Sequence, residues 1–74
     1  MATDRSIRLR DVIALTCDAP QMGLKCGQVG TVVETLAPDV FEIEFCDDLG
    51  QTYALSTFNA SDLMVLHFEP LHRI

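Results

Sequence analysis

The run Phe41-Glu42-Ile43-Glu44-Phe45 constrains this chain more than any other. Bulky apolar and acidic residues alternate with a period of two, the spacing at which side chains of an extended strand face opposite sides. A helix would scatter the three apolar residues around its circumference. The segment is therefore expected as a strand, with Phe41, Ile43 and Phe45 in a core and Glu42 and Glu44 on the wet face. Turn chemistry brackets it. Ala37-Pro38-Asp39 precedes it, and proline cannot donate to a ladder. Asp47-Asp48-Leu49-Gly50 follows, with Gly50 free to take positive φ as a hairpin requires.

The rest of the sequence supplies partners for that strand. Residues 11–15 form a β-branched run that ends in the turn-type residues Asp18, Ala19 and Pro20. Residues 21–26 read as a returning loop hinged at Gly23 and Gly27. Residues 29–36 are a second strand rich in Val and Thr. Residues 51–57 return from the hairpin, with Tyr53 and Leu55 expected on one face. Asn59 or Ser61 caps a single 3₁₀ turn, and residues 64–66 make a fifth strand. A chain of 74 residues holds one domain at most. The parse is a basic, flexible arm over 1–10, an all-β body over 11–68 and a loose tail over 69–74. Five short strands without helices, the last entered through a 3₁₀ turn, predict a small five-stranded SH3-like barrel.

Two resemblances sharpen that reading. Gly27, Gly30 and Val32 match the glycine-spaced turn of KOW-type modules, found in ribosomal and transcription proteins. Gly30 lacks a Cβ, so a neighbouring strand can approach closely there. Over residues 10–66 the chain resembles a family of short bacterial proteins catalogued as domain of unknown function 4926. The matching segments are Asp11-Val12-Ile13-Ala14-Leu15-Thr16, Pro20 with Gly23-Leu24, Gly27-Gln28-Val29-Gly30-Thr31-Val32-Val33-Glu34, Phe41-Glu42-Ile43-Glu44-Phe45 and Gly50-Gln51-Thr52-Tyr53-Ala54-Leu55. The resemblance implies an SH3-like barrel without established activity. It also implies a gene arrangement, in some members, like that of toxin and antitoxin pairs. Cys17, Cys26 and Cys46 stand outside the family pattern.

Charge decides among functions. Between Lys25 and Arg73 there is no lysine or arginine, whereas eight carboxylates fall there, and the net charge is −6. Phosphate neutralisation by Lys and Arg supplies most non-specific nucleic-acid affinity, so the body has the wrong sign for nucleic acid. Only Arg5, Arg8 and Arg10 in the N-terminal arm would serve it. The same field attracts a basic protein surface. The expectation is a non-enzymatic interaction module docking on a basic protein partner, antitoxin- or immunity-like. The docking residues are Glu34, Glu42, Glu44, Asp47 and Asp48, with Tyr53 and Phe58 as anchors. The alternatives are a KOW-like nucleic-acid module using the basic arm, and a small structural subunit of a larger complex. A homo-oligomer would also help a core this small.

Other chemistries find no pattern. Cys17, Cys26, Cys46 and His67 are spaced far wider than zinc knuckles, so no metal is expected and the thiols read as free. Cys26 or Ser61 with His67 or His72 lacks an elbow and an oxyanion-type glycine cluster, so no catalytic residue and no cofactor is expected. The pair Asp47-Asp48 with Glu44 lacks the spacing of a calcium loop. No run reaches the roughly 18 to 20 apolar residues of a membrane helix. Without a secretory h-region after the first charged residues, the expected location is cytoplasmic.

Overall fold

The computed structural model describes residues 6–68. Five strands form one antiparallel sheet: β1 Val12–Leu15, β2 Val29–Ala37, β3 Val40–Cys46, β4 Thr52–Asn59 and β5 Leu63–Val65. Their order is β4-β3-β2-β1-β5. The all-β class, the strand count and the 3₁₀ turn before the last strand (Ala60–Asp62) agree with the sequence expectation. Arg5, Glu69, His72 and the tail 69–74 lie outside the described residues.

The alternation in β3 orders the sheet. Phe41, Ile43 and Phe45 are 5%, 0% and 0% exposed, while Glu42 and Glu44 between them are half-buried. Across the ladder, Val32 of β2 lies opposite Ile43, and Phe58 of β4 lies opposite Phe41. On the far side, Ile13 pairs with Val65 and Leu15 with Leu63. Side chains from all five strands join one cluster that includes Ile13, Leu15, Val32, Phe45, Phe58 and Leu63. Adjacent strands lie about 4.8 Å apart, so side chains of the two outermost strands meet only if the sheet curls. It does so without pairing β4 to β5, which remain its two edges.

The connection between β1 and β2 is more ordered than its composition suggests. Ala19 and Leu24 exchange both backbone hydrogen bonds, at 2.9 and 3.1 Å, around a 3₁₀ turn at Pro20–Met22. Both side chains are buried in the core. Gly23 and Gly27 take φ of +73° and +93°, so the hinges expected there are real. The 3₁₀ turn was not legible because three residues carry no periodicity.

The N-terminal arm is only partly an arm. Arg8 and Asp11 close a turn, with the Arg8 amide donating to the Asp11 carboxylate at 2.9 Å. The Arg10 amide donates to Val32 O at 2.8 Å, and Ile7 packs against the core. Residues 7–10 are therefore tied to β2, and Asp11 belongs to that turn rather than to the first strand.

At Gly30 the neighbouring strand β3 comes close to the backbone of β2. A Cβ there would lie 2.6 Å from Ile43 Cγ2 and 2.9 Å from Glu44 O, the latter a backbone atom unable to swing aside. Overpacking of this kind costs about 1–3 kcal/mol. Gly30→Ala is expected to lower the unfolding free energy measured in urea by about 1–3 kcal/mol, through a lower midpoint at an unchanged m-value.

Candidate interaction face

Antiparallel pairing places the acids. Core burial stabilises each large apolar side chain by roughly 1.5–3 kcal/mol, whereas like charges across strands cost about 0.2–1 kcal/mol. Phe41, Ile43 and Phe45 thus dictate the register, and the carboxylates must lie where it leaves them. Glu42 falls directly opposite Glu34 of β2 on one side and Thr57 of β4 on the other. Glu44 is flanked by Thr31 and Leu55, and its carboxylate accepts a hydrogen bond from the Thr52 hydroxyl. Glu34, Glu42 and Glu44 therefore share the outer face of the sheet. Among the described residues no cation pairs with any of the three.

The two aspartates differ. Asp47 staples the hairpin: its Oδ1 accepts from the amides of Leu49 and Gln51, each at 2.9 Å. Gly50, at φ +82°, completes that turn. Asp48 is exposed at the tip.

Of the two aromatic anchors, Phe58 needs correction. Phe58, expected at the surface, is 7% exposed and meets Phe45 edge-on at 6.0 Å. The strand runs on to Asn59, which carries Phe58 opposite Phe41 and into the core. Tyr53 is 49% exposed, but a register shift between Phe45 and Cys46 interrupts the alternation of β4 at this residue. Its ring therefore lies 6.2 Å from that of the core residue Phe45, and its hydroxyl accepts from Gln28 Nε2 at 2.8 Å. Leu55, expected beside Tyr53, instead stands opposite Glu44 on the outer face, 55% exposed. Two further irregularities fall at Val33 and Leu36 of β2, which pair with no residue of β3 and are exposed. Pairing puts Leu55 on the acidic face, and Val33 and Leu36 are the other exposed apolar residues of the neighbouring β2. Period-two reasoning cannot find residues that bulges displace.

With the face described, comparison with known proteins adds one result. The model of a domain of unknown function (DUF4926) matches residues 9–65. The chain belongs to this family. No curated protein and no solved structure matches it. The matched segment of the DUF4926 domain starts at Leu9, which fits the amide of Arg10 already being bonded to β2.

The remaining candidates are scattered. Among the described residues no three His, Cys, Asp or Glu side chains converge to hold a metal ion. Cys17, Cys26 and Cys46 are free and exposed. Among the described residues neither Cys26 nor Ser61 is joined to His67 by a side-chain hydrogen bond. Among the described residues no helix is long and apolar enough to cross a membrane.

Two predictions follow from this geometry. Replacing one member of the opposed pair, Glu34→Lys, should raise stability by about 0.5–1 kcal/mol in low salt, with the gain shrinking in high salt, as measured by urea unfolding. Cys17 carries the other. Partial desolvation, then the charge and hydrogen bond of Asp62, then Cys26 and Asp18, push its thiol above the ordinary value. Less thiolate at neutral pH means a poorer nucleophile. Cys17 is expected to react with iodoacetamide more slowly than a cysteine in an unstructured peptide, and faster in the Asp62→Asn variant.

Proposed function

We propose that the DUF4926 domain is a non-enzymatic interaction module whose acidic outer face docks on a basic surface of a partner protein. The observation that carries this reading is the cross-strand opposition of Glu34 and Glu42, which no cation within the described residues relieves. A like-charge pair costs stability in the free protein, and lysines or arginines of a partner would turn that cost into attraction. Leu55, Val33 and Leu36 supply the dehydrated contacts on which affinity depends, while the carboxylates govern on-rate and selectivity. Rings suited to base stacking are scarce on this side, since Phe41, Phe45 and Phe58 are buried. An antitoxin- or immunity-like role in the cytoplasm, covering a basic site on its partner, is the concrete form of this proposal.

Immobilised protein should capture one stoichiometric basic protein from a lysate at about 50 mM salt and release it near 0.5 M, where the Debye length falls to a few ångströms. The Glu34→Gln, Glu42→Gln, Glu44→Gln triple variant should capture at least about tenfold less while remaining folded. Capture that ignores both salt and the triple variant would refute docking through this face.

A further inference from the structure

The sheet has two edges of very different quality. β5 has three residues, whereas β4 has eight and pairs only with β3. Among the described residues nothing bonds the outward backbone amides and carbonyls of β4. Exposed edges of this length normally carry a lysine, a proline or an inward charge that prevents pairing. β4, Thr-Tyr-Ala-Leu-Ser-Thr-Phe-Asn over residues 52–59, carries none of them. Its one irregularity lies at Tyr53, so residues 54–59 form a regular run in register with β3. Such an edge is a template for another strand.

Charge complementarity says which strand. The outer side of β4 offers Leu55 and Thr57, and directly behind them on β3 stand Glu44 and Glu42. A strand added to β4 would lie about 10 Å from β3, within combined reach of a lysine or arginine stem and a glutamate. The residues of β4 between them are uncharged and would not compete. A second copy of this chain, with its own net charge of −6, would set like charge against like. We propose that residues 54–59 take up an extended basic segment of a partner protein as a sixth strand, with alternate Lys or Arg side chains lying over Glu42 and Glu44. This rests on the acidic-docking reading and specifies how the partner is held. Main-chain pairing supplies the affinity, and the carboxylates select a basic sequence.

The probe is a synthetic peptide of roughly eight residues in which Lys alternates with Val or Thr, capped at both ends. Two N-methylated versions of the same charge block alternate amides, one set in each. A strand joins a sheet through one of its edges, so one methylated version should bind about tenfold more weakly and the other nearly as well as the parent. Amides within 54–59 should gain protection from exchange. Leu55→Lys and Thr57→Lys, both at exposed sites, should each weaken the parent peptide several-fold without unfolding the protein. If all three peptides bind alike and are lost together on adding salt, edge pairing is overturned while acidic docking stands. If none binds, edge pairing is overturned, and the lysate capture decides the docking reading separately. A free protein that dimerises through β4, becoming monomeric in Leu55→Lys, would also overturn the proposal by giving the edge to a second copy.

Discussion

The close approach of β2 and β3 at Gly30 is the contact on which the rest of the molecule depends. With no Cβ at that position, Ile43 and Phe45 settle against the backbone of β2. This lets Phe45 become the hub that Phe58 and Tyr53 both touch. Once those rings are placed, the period of β3 leaves its two glutamates no choice of face. The acidic surface is in this sense a by-product of core packing, held rigid by the same strands that build the core. Rigidity matters for recognition, because a pre-placed charge array loses little conformational entropy on binding.

Much of this was legible in the residues, and the failures share one cause. The strand at Phe41, Ile43 and Phe45 follows from strict alternation and the positive φ of Gly50 from hairpin chemistry; the short turn before β5 is where it was expected, but Asn59 at its start makes no side-chain capping hydrogen bond and Ser61 lies within the turn. What period two cannot supply is the position of an extra residue. The irregularity at Tyr53 separates that ring from Leu55, although two residues apart ordinarily means the same side. The irregularities at Val33 and Leu36 expose apolar side chains in a strand that reads as uniform. Phe58 escapes for a different reason: a strand over 51–57 stops short of it, and only the full length of β4, to Asn59, pairs it with Phe41. Of the expected docking set, Glu34, Glu42 and Glu44 are brought together, Asp47 is committed to its own turn, and Phe58 is withdrawn.

The face and the edge are separate features that meet in β4. One presents charge from β3 and β2, and the other presents unsatisfied main chain. Either alone is ordinary on a small antiparallel sheet, where one side faces solvent and two edges must end somewhere. Their adjacency would give the proposed partner both a directional contact and a reason to be cationic.

The short strand β5 also bears on how the domain assembles. Leu63 and Val65 complete the core by pairing with Leu15 and Ile13, residues from the opposite end of the folded segment. Local hairpins can form early, but this closure spans almost the whole domain, and such distant contacts slow folding. Until it is made, Ile13 and Leu15 lack a covering strand and remain wet. The interval before closure is when the nascent domain is most exposed to wrong pairing.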